Sequence, residues 1–180
     1  MGLASWYKRL RHSYGYGVHS PFAYALVRRA VSPGRYCWYG YADIDAALYD
    51  NPSRGVRRQA RILLRLAASL SPRSVFLPMR SHSAYHAALE AADSRMHIER
   101  RPAKAAGCEM ICSNGEFIPY PVLAECLSRP GGVVALRDVS PDWPERLFEG
   151  MEEGLMLRGR RNALLVAREG MRKVAYTVNI

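Results

Sequence analysis

The sequence predicts an α/β protein built on a mostly parallel sheet that closes with antiparallel strands. Two observations carry this reading. From residue 53 onward, short apolar runs alternate with helix-forming stretches, the pattern of strand–helix–strand units with helices on both faces of a parallel sheet. The last three apolar runs are separated only by Arg158-Gly159-Arg160-Arg161-Asn162 and Glu169-Gly170-Met171. Links that short make antiparallel hairpins and leave no room for a crossover helix.

Residues 1–52 read as a helical, aromatic extension and residues 53–180 as the α/β domain, together one structural unit. In the extension, residues 1–12 are amphipathic and basic, and Tyr14-Gly15-Tyr16-Gly17 and Tyr39-Gly40-Tyr41 read as loops. Ser20-Pro21 is a helix start, with serine as N-cap and proline at the first helical position. The helix runs through Val31 and is closed by Ser32-Pro33-Gly34; Phe22 and Leu26, one turn apart, form the face expected to bury. A short helix is expected over 43–49.

In the domain, a long helix over 54–70 stops at Ser71-Pro72. The expected order is then strand 74–77, helix 83–92, strand 95–99, strand 109–113, helix 119–128, strand 132–138 and helix 143–153. Strands near 154–158, 162–168 and 173–179 close the chain. The turn at 78–82, Pro78-Met79-Arg80-Ser81-His82, holds no glycine where a strand-to-helix turn that cradles a charged ligand carries several.

At 180 residues the chain has enough length for one substantial core, and 49% apolar with 23% charged residues is an ordinary globular balance. No apolar run approaches the ~20 residues that span a bilayer, and the basic N-terminus lacks a signal-peptide core, so a soluble cytoplasmic protein with no membrane partner is expected. The four cysteines read as buried free thiols, and Cys108 and Cys112 with His82 and His86 match no zinc spacing, so no metal is expected. The net charge is +10. Arg54, Arg58, Arg61 and Arg65 fall on one side of the long helix, opposite Leu63, Leu64, Ala67 and Leu70. The simpler reading is a solvated face; the alternative is nucleic-acid contact, with the Tyr-Gly loops as stacking platforms.

Several segments carry a resemblance, in matching order along nearly the whole chain. Tyr16-Gly17-Val18-His19-Ser20-Pro21-Phe22 resembles an "HGxHSPFxxxL" opening; the helix 54–70 with Ser71-Pro72-Arg73-Ser74-Val75-Phe76-Leu77 resembles "RAxLLFRLxxxxxPxxILELG". Gly132 to Ser140 resembles "SxLIFDDIH", and Leu164 to Glu169 with Val174 to Asn179 resembles "GLVFFRKE…HFxIR". The chain is thereby similar to a group of class I S-adenosylmethionine-dependent methyltransferase-like proteins of Bacteroidetes. The resemblance implies a Rossmann-like sheet of order 3-2-1-4-5-7-6, shortened here because only Arg100 to Cys108 separate Glu99 from Glu109. The third edge strand is then missing, and the link must return along a ~17 Å strand and step ~10 Å sideways, within the ~30 Å reach of an extended nine-residue segment.

The resemblance places the S-adenosylmethionine positions at Met79, Ser81, Glu99, Ser113 and Asn114, with Glu99 standing where a carboxylate binds the ribose hydroxyls. Asp138 is the best-placed catalytic acid, beyond the end of a parallel strand. The departures lie at these same positions. The turn 78–82 replaces the acidic residue and glycine loop, with Pro78 removing a donor and the Met79, Arg80 and His82 side chains expected to fill the space. Asn114 and Arg137 replace carboxylates, and Arg137 beside Asp138 disfavours a divalent cation. A degenerate methyltransferase-family protein with weak or no cofactor binding and no catalysis is the expectation. An active small-molecule methyltransferase and a nucleic-acid-associated protein are the alternatives. His19 reads as a packing residue of the helix entry, and His82 and His86 as residues on an exposed helix side.

Overall fold

The computed structural model describes residues 3–32, 37–50, 53–114, 118–140 and 142–180, apart from the side chains of residues 3–6, 8 and 114. Seven strands, β1 Ser74–Phe76, β2 His97–Glu99, β3 Met110–Asn114, β4 Val133–Arg137, β5 Gly154–Arg158, β6 Ala163–Ala167 and β7 Val174–Thr177, form one sheet. Their spatial order is β2-β1-β3-β4-β6-β5-β7. The first four are parallel, β6 runs antiparallel to both β4 and β5, and β7 is parallel to β5. The predicted mixed α/β sheet is therefore present, with β1 in its interior.

Side chains alternate between the two faces with the two-residue period of a strand. Val75, Met110, Cys112, Val133, Leu155, Leu157, Leu164 and Val166 pack into one core. Phe76, Ile111, Val134, Met156 and Leu165 pack into the other. The first face is covered by α4 (Arg54–Leu70), α5 (Ser83–Ala92), α3 (Tyr41–Ala46) and α2 (Pro21–Leu26) with the π-helical turn Val27–Val31 that continues it. The second is covered by α6 (Tyr120–Leu127), α7 (Asp142–Glu149) and a 3₁₀ helix, Pro102–Gly107. The extension shares the first core with the sheet. At Gly40, a Cβ would lie 2.5 Å from Leu64 Cδ1 and 2.6 Å from Ala91 Cβ, so only glycine lets the start of α3 approach α4 and α5 this closely.

Ser20 caps α2 as expected: its Oγ accepts from the Ala23 N–H at 3.3 Å. Leu26 is buried, but Phe22 is only half-buried, its ring lying under the Arg168 guanidinium at 4.2 Å rather than inside the core. The loop at 39–41 gives way to α3 two residues earlier than expected and α3 ends at Ala46. Pro33, Gly34 and the Asn51-Pro52 boundary lie outside the described residues. The basic N-terminal stretch is helix α1 (Leu3–Ser13), seated on β7: the Asn179 N–H donates to Ser13 Oγ at 2.7 Å, and His12 Nδ1 lies 3.2 Å from Thr177 O. It covers what would otherwise be an open sheet edge.

Two topological expectations are corrected. The carboxyl end was expected as two hairpins, and only β5–β6 is one. β6 is paired on both edges, so β7 finds its free edge on β5 and lies parallel to it. The link between Glu99 and Glu109 was expected to run extended, and it contains a 3₁₀ helix instead. Because β2 has only three residues, the return is ~10 Å, which six residues of 3₁₀ helix at ~2 Å each can cover.

The arginine side of α4 is also corrected from a solvated face. Arg65 is buried: its Nε donates to Ala30 O at 2.7 Å and its Nη1 to the Tyr41 hydroxyl. Burial lowers its pKa below the ordinary arginine value, against the opposing effect of its hydrogen bond to Tyr41. Arg61 lies 4.4 Å over the Tyr41 ring and pairs with Asp45 at 2.9 Å, and Arg57 pairs with Asp45 at 3.0 Å. Arg58 is exposed and donates to Asn179 O at 2.9 Å, and Arg54 is exposed. Two of the four stripe arginines, Arg61 and Arg65, thus clamp α3 and the π turn to α4.

Candidate functional site at the ends of the parallel strands

In an open α/β sheet the ligand crevice lies beyond the carboxyl ends of the strands, where successive connections leave in opposite directions. Here that point is between β1 and β3, because β2 lies on one side of β1 while β3 and β4 lie on the other. A cavity opens beside it between α4 and the sheet, reaching from Leu77 across β3 and β4 to Ala163 and Leu164 of β6. Its walls are Leu77, Cys112, Ser113 and Ala135 from the sheet side, Gln59 and Leu63 from α4, and Tyr85 from α5. Its volume is about 90 Å³, against the ~300 Å³ or more that small-molecule and cofactor pockets occupy.

The polar end of the cavity is closed by three side chains from three elements. Tyr85 donates its hydroxyl to Gln59 Oε1 at 3.0 Å, and Arg137 Nη1 donates to the same atom at 2.8 Å. The Arg137 guanidinium also lies over the Tyr85 ring, 4.5 Å from its centroid. Burial pulls the Arg137 pKa down, and Asp138 offsets part of that. Sequence reasoning singled out Arg137 but missed Gln59 and Tyr85. Each reads locally as an ordinary helix residue, and only the packing of α4 on α5 brings them to one strand end.

The turn after β1 differs from the expectation in the way it acts. Leu77 and Pro78 are buried, and the Ser81 N–H closes the turn on Pro78 O at 3.0 Å. Met79, 72% exposed, and Arg80 face solvent, so they fill no cofactor space. Ser81 is half-buried. His82 is the N-cap of α5, its Nδ1 taking the Ala84 N–H at 3.2 Å, so one helix-terminal donor is already satisfied within the chain. His86 pairs with Glu90 at 3.0 Å and is half-buried rather than exposed.

Glu99 is buried at the end of β2, and its carboxylate is fully occupied. Oε1 accepts from the backbone N–H groups of Arg100 and Arg101, each at 2.9 Å. The Arg101 guanidinium adds a two-point pair at 3.0 and 3.1 Å. Those bonds, the Arg101 side chain first, pull the Glu99 pKa down to about 2. Asp138, in the left-handed region at φ 55, has its carboxylate flanked by Arg137 and Arg161, each at 3.6 Å. Ser113 is buried in the cavity wall. Asn114 pairs with Arg137 in the β3–β4 register, and its side chain lies outside the described residues.

Among the described residues no group of three or more His, Cys, Asp or Glu converges as a metal site, and no helix is long and apolar enough to cross a membrane. Cys108, Cys112 and Cys126 are buried free thiols, Cys112 pushed up to about 12 by burial, whereas Cys37 is exposed, against expectation. His19 is exposed; it is its backbone N–H that is held, by the Tyr176 hydroxyl at 3.1 Å. No protein-family model, curated protein or solved structure matches this chain.

Proposed function

We propose that this chain is a methyltransferase-like α/β protein of the group its motifs resemble, in which S-adenosylmethionine binds weakly or not at all and no methyl transfer occurs. The observation that carries the reading is the Gln59–Tyr85–Arg137 cluster at the strand ends. It leaves a cavity of about 90 Å³, too small for a nucleoside, and holds a guanidinium where a cationic sulfonium ligand needs an anionic or neutral wall. The strand order supports the same reading: β2-β1-β3-β4-β6-β5 corresponds to 3-2-1-4-5-7-6 with the first strand removed, and β7 is an addition. Glu99, the residue the resemblance assigns to the ribose, is committed to Arg101 and to two backbone amides.

Titration calorimetry with S-adenosylmethionine and S-adenosylhomocysteine tests this. No saturable heat is expected up to millimolar ligand. Saturable binding at low micromolar concentration, or methyl transfer from labelled S-adenosylmethionine that Glu99→Ala abolishes, overturns the proposal in favour of an active small-molecule methyltransferase.

A further inference from the structure

The surface that the cleft does not use is the outer face of the N-terminal extension. Residues 1–42 contain no aspartate or glutamate. Within the described part of this segment, tyrosines are conspicuously exposed: Tyr7 at 58%, Tyr14 at 52%, Tyr16 at 64%, Tyr24 at 47% and Tyr39 at 102%. Rings of that size normally bury at least one face, so five exposed in one short segment demand a reason.

Tyr7, Tyr14, Tyr16 and Tyr24 lie on α1, α2 and the loop between them, with two exposed arginines, Arg11 and Arg28. The Arg11 guanidinium lies 6.0 Å from the Tyr7 ring centroid, and Arg11 O accepts the N–H groups of Tyr14 and Tyr16 at 3.1 and 3.0 Å. Gly15, at φ +86, turns the chain so tightly over α2 that a Cβ there would fall 2.5 Å from Tyr24 Cε2 and 3.5 Å from Arg28 Cδ. Glycine at that position therefore sets the Tyr14–Tyr16 loop directly on Tyr24 and Arg28.

We infer that this face is a binding surface for single-stranded nucleic acid. Exposed aromatic rings beside guanidiniums, in a segment that carries no carboxylate of its own to oppose a phosphate, provide base stacking and backbone attraction together. An anionic membrane would use the same charge, but it selects exposed aliphatic and tryptophan side chains. Every exposed large apolar side chain described in this segment is a tyrosine. The nucleic-acid surface accordingly moves from the arginine stripe of α4, where Arg61 and Arg65 are spent on internal contacts, to α1, α2 and the loop between them. The inference stands whether or not the cleft binds a cofactor.

The test is fluorescence anisotropy of labelled dT20, U20 and a 20-base-pair duplex with the full chain, alongside flotation with phosphatidylserine vesicles. Single strands of either sugar are expected to bind at low salt and to weaken ~10-fold or more between 50 and 200 mM salt. Tyr14→Leu with Tyr16→Leu should weaken single-strand binding ~10-fold or more, since stacking is lost, while Tyr14→Phe with Tyr16→Phe retains it. Arg11→Gln with Arg28→Gln should flatten the salt dependence. Unchanged circular-dichroism melting shows that each variant is folded, as expected for exposed positions. The inference is overturned if no oligonucleotide binds, if duplex binds as well as single strand, if the leucine variants bind like the phenylalanine ones, or if only the vesicles capture the protein.

Discussion

Arg137 and Tyr85 are stacked, guanidinium on ring at 4.5 Å, and both donate to the one Gln59 oxygen. Two donors on a single acceptor fix which end of the Gln59 amide points inward, because an NH₂ group has nothing to accept with. The cluster ties α4, α5 and β4 together at the point where an α/β sheet ordinarily opens to a ligand. Closure of the cleft is thus a cooperative side-chain arrangement rather than a single bulky residue.

Cooperativity makes the cluster measurable. Tyr85→Phe should cost ~1 kcal/mol and Arg137→Leu ~1–3 kcal/mol, and the double variant should cost less than their sum by ~0.5 kcal/mol or more. Urea unfolding of the four proteins gives the coupling directly. Additive losses would mean that the two side chains act independently of each other.

Glu99 predicts a pH dependence. Its folded pKa of about 2 lies below the ordinary 4.5, so the unfolded chain binds this proton first as pH falls. Its stabilising contribution is complete above 4.5 and is lost progressively as pH falls from there towards 2. The urea midpoint of the protein should therefore exceed that of Glu99→Gln by a constant margin above pH 5–6 (roughly where the unfolded carboxyl is ionised), and the margin should shrink towards pH 2. A margin independent of pH would mean that the Arg101 pairing is absent in solution.

Arg65 predicts a structural, not a ligand-binding, phenotype for one of the four arginines of the α4 stripe. Arg65→Met keeps the buried stem but strips Ala30 O and the Tyr41 hydroxyl of their donor. A loss of ~2–4 kcal/mol is expected in denaturant unfolding. Arg54→Met, at an exposed position, should change stability by less than ~0.5 kcal/mol.

Tyr176 joins the two ends of the chain. Its hydroxyl accepts the His19 N–H at 3.1 Å and lies 3.4 Å from the Ser20 N–H, so β7 holds the turn that launches α2. Tyr176→Phe should lower stability by ~1 kcal/mol, a melting shift of ~2–4 °C. Amide exchange at residues 19 and 20 should quicken more than in the sheet, measured by hydrogen–deuterium exchange. Uniform acceleration would assign the effect to global stability instead.

Local signals carried far in this chain. Ser20-Pro21 and Ser71-Pro72 are start and stop signals read within one turn of backbone; α2 begins at Pro21, and α4 ends at Leu70 with Ser71 in the left-handed region. The alternation of short apolar runs with helix-forming stretches was enough to read a parallel sheet, because strands buried on both faces are apolar throughout and need helices to cover each face. Three decisions were made only in three dimensions. β7 joined β5 because both edges of β6 were taken, which is a property of the assembled sheet. Arg65 looked like its exposed neighbours Arg54 and Arg58 but was buried, because α3 and the π turn lie over that part of the helix. The cleft was filled not by the turn 78–82, where glycine loss pointed, but by Gln59, Tyr85 and Arg137, which are far apart in sequence and share one hydrogen-bond acceptor. Backbone preference acts over a few residues and is written locally; burial and pairing depend on which surfaces meet, and that is settled by packing.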